Sequence, residues 1–279
     1  MLQITHILKE VAVYKKVSYL GPEGSYSHIA AGQMCAGAQL IPQRSFADVV
    51  SSVVRGVADA AVLPIENTLN GGVLQNMDLL EANDCLTAVA EFTLPIDHRL
   101  ITMRGADISG IKKIYSHRQA LDQCAAYLHE HFPAAELIAE ASTAASVACI
   151  KLPQDAAIAG VQCAQEGFDV SPECISDEKN NYTHFLLVIK GVLPDNFKSG
   201  KVYFSLVCNH VPGALLHILS IINDYNLNMT KIESRPLKDI PGEYRFFIEA
   251  EGDYSSPQIK SAIEALRAAT RSFRLIGAY

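Results

Sequence analysis

Several common signatures are missing from this 279-residue sequence, and each absence removes a class of function. No apolar run approaches the roughly 20 residues that a membrane-spanning helix needs; residues 59–65 are among the longest. Residues 1–16 carry charges throughout, with neither an apolar core nor a small-residue cleavage site, so no export signal is read there and a cytoplasmic location is expected. There is no G-x-G-x-x-G loop, which leaves a dinucleotide without its usual cradle. There is no C-x-x-C pair either: the seven cysteines, at 35, 85, 124, 149, 163, 174 and 208, sit mostly among apolar neighbours and read as reduced core thiols. His6, His98, His129, His131 and His217 lack a carboxylate or cysteine at ligand spacing, so no metal site is expected. Positive charge is scarce as well. Residues 1–190 hold 13 Lys+Arg against 21 Asp+Glu, whereas residues 201–279 hold 9 against 8. An acidic body of this kind argues against nucleic acid, and it obliges any anionic substrate to be met by local donors.

The sequence is rich in strand–loop junctions. Asn180-Asn181-Tyr182-Thr183-His184-Phe185 closes a polar run and opens the apolar strand 185–189. A hydroxyl at such an entry faces a cleft while the strand behind holds it rigid; the plainer reading is a β-branched residue that suits a pleated surface. A short strand at 17–20 runs into Gly21-Pro22-Glu23-Gly24-Ser25-Tyr26-Ser27, where Ser25 or Ser27 caps a helix over about 26–36. Its free N–H groups suit an anion. A strand at 59–65, stopped by Pro64, empties into Glu66-Asn67-Thr68-Leu69-Asn70-Gly71-Gly72, a denser group of hydrogen-bonding side chains than a turn requires. Ser116-His117-Arg118-Gln119 caps another helix after the strand at 112–115, and Gln123 shares a face with Gln119 one turn earlier.

Strand and helix alternate throughout residues 17–190, which predicts two α/β lobes around a cleft, joined by the extended crossing at 86–103 and a return before Thr183. Residues 191–200 read as a linker. Residues 201–279 then parse as βαββαβ, a ferredoxin-like split βαβ unit. There Asn209-His210-Val211-Pro212-Gly213-Ala214-Leu215-Leu216 opens a helix whose small residues let a ligand approach the backbone. Glu233-Ser234-Arg235-Pro236 ends the second strand, where Glu233 and Arg235 serve an effector or else form a cross-strand ion pair.

Taken together, the segments 20–27, 64–80, 115–124, 181–185, 213–216 and 233–236 resemble prephenate dehydratase with a C-terminal ACT regulatory domain, the same arrangement as the dehydratase–ACT portion of the bifunctional chorismate mutase/prephenate dehydratases. The resemblance implies a periplasmic-binding-protein-like catalytic domain at 17–190 and an ACT domain at 201–279. It implies loss of CO2 and water from prephenate to give phenylpyruvate, in phenylalanine biosynthesis, without metal or organic cofactor. Thr183, of the family's T-R-F motif, is the implied proton donor. Glu66, Asn67 and Gln123 match its other active-site side chains. Ser25, Ser116, His117, Arg118, Gln119, His184 and Phe185 are expected on the substrate. Asn209, Pro212, Gly213, Ala214, Leu215, Asn228, Met229, Glu233, Ser234 and Arg235 are expected at an allosteric L-phenylalanine site between paired ACT domains of a homodimer or homotetramer.

Two departures stand out. T-R-F reads Thr183-His184-Phe185, and S-H-P-Q reads Ser116-His117-Arg118-Gln119. An arginine forks onto a carboxylate as an imidazole cannot, so Arg118 or a protonated His184 is expected to restore the lost charge. The alternatives are a catalytically weakened amino-acid sensor, arogenate as the substrate, and a solute-binding protein, which the missing export signal disfavours.

Overall fold

Short runs of apolar and β-branched residues bounded by polar turns dictate the strands. The computed structural model describes residues 14–279, so His6 and nearly all of the stretch read for an export signal lie outside the described residues. The first lobe comprises β1 (Lys16–Leu20), α1 (Tyr26–Met34), β2 (Gln39–Gln43), α2 (Phe46–Val54), β3 (Ala60–Asn67), β4 (Gly71–Gly72), α3 (Leu74–Glu81) and β5 (Leu86–Pro95). The second holds β6 (Arg99–Met103), β7 (Lys113–His117), α4 (Arg118–Gln123), α5 (Ala125–His131), β8 (Glu136–Glu140), α6 (Thr143–Ser146), β9 (Asp155–Ala159) and β10 (Phe168–Val170). The chain returns to the first lobe as β11 (Tyr182–Lys190).

The expected crossing at 86–103 is thus two strands in different sheets, broken at residues 96–98. Each lobe has a parallel core, β2–β1–β3 in one and β8–β7–β9 in the other. Antiparallel strands lie where the chain changes lobe: β11 inserts between β3 and β5, and β6 lies beside β9. One expectation is corrected here. β3 does not stop at Pro64 but runs on to Asn67. Proline offers no N–H to the ladder, and a β-bulge in β3 at Ile65 accommodates it, with Phe185 of β11 opposite Pro64 and His184 opposite Glu66.

The C-terminal unit is the expected βαββαβ: β12 (Lys201–Val207), α7 (Ala214–Asp224), β13 (Met229–Pro236), β14 (Tyr244–Glu251), α8 (Pro257–Ala269) and β15 (Ser272–Ala278). One sheet face buries Phe204, Leu206 and Ile248 against α7 and α8, where Ile218 and Ile263 meet them. The other is not left to solvent: Tyr203, Phe247, Ile276 and Tyr279 join Met77 and Leu80 of α3 in the core of the first lobe. β15 also pairs in parallel with β5 at Gly277 and Ala88, so lobe and C-terminal unit share one sheet of ten strands. A Cβ at Gly277 would lie 2.3 Å from the Ala88 carbonyl oxygen, which only glycine avoids.

Polar contacts stitch the same junction. Lys201 Nζ lies 2.9 Å from Glu91 Oε2 of β5 and 3.2 Å from Glu249 Oε1, and the Tyr279 hydroxyl donates to Glu249 Oε2 at 2.6 Å. Arg235 meets Asp78 and Arg245 meets Glu81, both acids on α3.

Candidate active site

Alternation along two neighbouring strands builds the site. Successive strand residues point to opposite faces, and residues paired across strands point the same way. Thr183 of β11 pairs with Asn67 of β3, and both face a cleft of about 390 Å³ between the lobes. Phe185, two residues on from Thr183, lines it too. The second lobe contributes His117, Gln119 and Gln123, and the start of α1 contributes Ser25 and Tyr26. Seven of the expected residues are therefore brought together: Thr183, Asn67, Gln123, Ser25, His117, Gln119 and Phe185.

Four are not. Glu66 precedes Asn67 and so points to the other face, where its carboxylate meets Lys231 Nζ of β13 at 2.8 Å. His184 also faces away from the cleft and bonds Thr93 Oγ1 through Nδ1 at 2.9 Å. Ser116 is fully buried beneath the cleft and donates to the Ile158 carbonyl at 2.6 Å. Arg118 projects into solvent, its side chain 78% exposed, and pairs with Asp122 one turn on. The charge expected from Arg118 or His184 is thus absent from the cleft, and a side chain at position 184 would not enter it. Because exposed pairs of this kind carry little energy, Arg118→Ala is expected to change KM by less than about twofold in steady-state kinetics. A sharp rise in KM would return Arg118 to the substrate.

Hydrogen bonds run through the cleft as one chain. Asn67 Oδ1 accepts from the Leu69 and Asn70 backbone N–H groups at 3.1 and 3.2 Å, which turns its Nδ2 toward Asn181 Oδ1 at 2.7 Å and Thr183 Oγ1 at 3.1 Å. Asn181 Nδ2 donates to Gln123 Oε1 at 3.1 Å, and His98 Nε2 lies 2.9 Å from the same oxygen. Asn181, His98 and Tyr26 were missed as site residues. Asn181 was legible in principle, since it lies two residues before Thr183 in the strand entry. His98 was not, because nothing in the sequence joins it to Gln123, 25 residues away.

Among the described residues, no Asp, Glu, Lys or Arg lines the cleft. Burial holds His98 below the ordinary histidine pKa, against the hydrogen bond to Gln123 and the charge of Asp97, so the ring is neutral. Donors for an anion come from the start of α1, where the Ser25 hydroxyl caps the His28 N–H and the first-turn amides lack intrahelical partners. The arrangement can hold an anion by neutral donors and present one hydroxyl whose oxygen already accepts a hydrogen bond.

In the C-terminal unit, Asn209, Pro212, Ala214 and Leu215 line a groove of about 410 Å³ at the start of α7, beside Gly213 in a left-handed conformation. Ser234 stands across from Phe246, on the side of that groove. Glu233 and Arg235 face the catalytic lobe instead, and Arg235 pairs with Asp78 rather than with Glu233. Asn228 bonds Glu251 at 3.0 Å and Met229 packs into the domain core, so neither reaches the groove.

Comparison with known proteins agrees with this architecture. Residues 17–191 match the family model "Prephenate dehydratase", and residues 202–268 match "ACT domain". The chain belongs to the prephenate dehydratase family. It is 33% identical over 274 residues to the bifunctional chorismate mutase/prephenate dehydratase of Enterobacter agglomerans, covering 95% of this chain and 70% of that one. To the prephenate dehydratase of Amycolatopsis methanolica it is 32% identical over 269 residues, covering 95% and 88%. The crystal structure of prephenate dehydratase from Arthrobacter aurescens in complex with L-Phe superposes with a TM-score of 0.85 at 32% identity, covering 95% of this chain and 90% of that one. In this family member, a lyase-type enzyme, the T-R-F arginine is His184, and the backbone directs that position away from the cleft.

Proposed function

We propose that the chain converts prephenate to phenylpyruvate, CO2 and water in phenylalanine biosynthesis in the cytoplasm, with L-phenylalanine inhibiting through the ACT domain. The observation that carries this reading is Asn67 Nδ2 donating to Thr183 Oγ1 in a cleft that, among the described residues, no Asp, Glu, Lys or Arg lines. Because Thr183 Oγ1 accepts from Asn67, its own hydrogen is free to pass to the departing ring hydroxyl, which leaves as water. The ring carboxylate leaves as CO2, its electron pair completing the aromatic ring. Prephenate dianion and one proton thus become the phenylpyruvate monoanion. Asn67 stabilises charge developing on Thr183 Oγ1, and geometry rather than free acidity sets the hydroxyl's role. The free amides of the first turn of α1, which Ser25 caps, receive the side-chain carboxylate; Gln123, Gln119 and His117 hold the opposite end. A substrate that sheds one of two negative charges suits a site without cations, because the lost charge is the one held least well.

Arogenate fits less well, since among the described residues no carboxylate lines the cleft to meet its ammonium group. The weakened-sensor alternative rested on His184, which does not face the cleft. For control, the groove at the start of α7 suits an amino-acid carboxylate. Exposed Val211, Leu216 and Ile232 and the outer edge of β13 support pairing with a second copy. Glu66, placed against Lys231, links the regulatory strand to the residue beside Asn67. The expected result is phenylpyruvate formation from prephenate that falls as L-phenylalanine is added. A rate flat across the titration would remove the regulatory claim, and no product at all would remove the catalytic one.

A further inference from the structure

We infer that His98 is a positioning residue: it fixes the direction of an amide relay so that Gln123 presents an N–H donor, not a carbonyl oxygen, to the substrate. The inference rests on the dehydratase reading of the cleft and names how one of its contacts is set. The direction of the relay is decided by the backbone. Besides the Leu69 and Asn70 backbone donors, Asn67 Oδ1 accepts from Asn70 Nδ2 at 2.8 Å. A backbone N–H cannot accept, so the group that Asn67 turns to Asn181 is its NH2. Asn181 then receives on Oδ1 and donates from Nδ2, which makes Gln123 Oε1 the acceptor.

His98 Nε2 points at that same oxygen, so this nitrogen carries the ring proton. The other nitrogen, Nδ1, is the bare one, 3.4 Å from the oxygen of Tyr26, whose single hydrogen goes to the Asp97 carbonyl at 2.9 Å. His98 is only 3% exposed, and the Asp97 carboxylate beside it is engaged by Arg99. With Oε1 held by two donors, Gln123 Nε2 is left over. It is buried and has no partner among the described residues, while its side chain lines the cleft. A buried donor without a partner is costly, and an acceptor oxygen of the bound substrate satisfies it. Without His98, Gln123 keeps one tether to Asn181 and is free to turn.

Two measurements test this. Imidazole 15N NMR on the full chain reads the tautomer without turnover, so its outcome is separate from whether the wild-type enzyme makes phenylpyruvate. Protonation at Nε2 is expected; a His98 ring protonated at Nδ1 overturns the relay. In kinetics, His98→Leu is expected to lower kcat/KM about tenfold, while His98→Gln, with an amide N–H near the position of Nε2, restores most of it. On a Gln123→Leu background, His98→Leu is expected to add less than about twofold, since both changes remove one contact. Additive losses, or full activity in His98→Leu, overturn the proposal, and should His98→Leu fail to fold, the wild-type tautomer decides.

Discussion

Thr183→Val is expected to lower kcat by about 10²–10⁴ while KM moves only a few-fold, because it keeps the shape of the side chain and removes the proton. Thr183→Ala is expected to behave alike. Thr183→Ser should recover part of the rate: it retains the hydroxyl but loses the branch that restricts χ1. The geometry makes the expectation specific. Asn67 Nδ2 donates to one lone pair of Oγ1 and leaves the hydroxyl hydrogen available to the cleft. The measurement is phenylpyruvate release at saturating prephenate. A kcat for Thr183→Val within about threefold of wild type would take proton delivery away from this residue.

Lys201→Met is expected to destabilise the chain by about 1–3 kcal/mol at neutral pH, less than the loss on removing one partner of a fully buried ion pair, because the Lys201 side chain is 26% exposed. The side chains of Glu91 and Glu249 are 16% and 13% exposed, and the variant leaves their two carboxylates facing each other without the ammonium between them. In the wild type, burial alone would raise Glu249, but hydrogen bonds from Thr230 and Tyr279 together with Lys201 hold it below its ordinary value of 4.5. Burial likewise opposes the charge on Lys201, and the two glutamates overcome it, so its pKa lies above the ordinary 10.5. A depressed carboxylate stabilises the fold above its unfolded pKa and loses that contribution as pH falls through the folded value. A raised ammonium contributes below its unfolded pKa and loses it as pH rises through the folded value. The network therefore contributes fully between about pH 4.5 and 10.5. Urea unfolding at neutral pH and near pH 4 checks this, the gap between variant and wild type narrowing in acid. Equal midpoints at neutral pH would show that the network adds nothing.

The alternation of strand and helix carried the two lobes and the βαββαβ unit, because apolar periodicity survives whatever the tertiary contacts do. Thr183 and Asn67 were visible as hydroxyl and amide at strand ends. Glu66 and His184 were misplaced for a common reason: motifs group residues by adjacency, whereas a strand sends neighbours to opposite faces. Glu66-Asn67 and Thr183-His184 are each one cleft residue and one outward residue. Arg118 sits at the first position of α4, where a helix start sets the direction of a side chain in a way that spacing alone does not show. The partnership of His98 with Gln123 and Asn181 joins the crossing, a helix and the returning strand, so it exists only once the chain has folded.

The single rung at Gly277 has a mechanical consequence. From Ala88 to Leu94, which stands beside Thr183, β5 runs about 20 Å with β11 paired along it, interrupted by one β-bulge at Val89. The backbone of the ACT unit thus reaches the strands beside Thr183 through peptide groups as well as through the side chains of the junction. The missing methyl at position 277 is what lets the two sheets meet edge to edge.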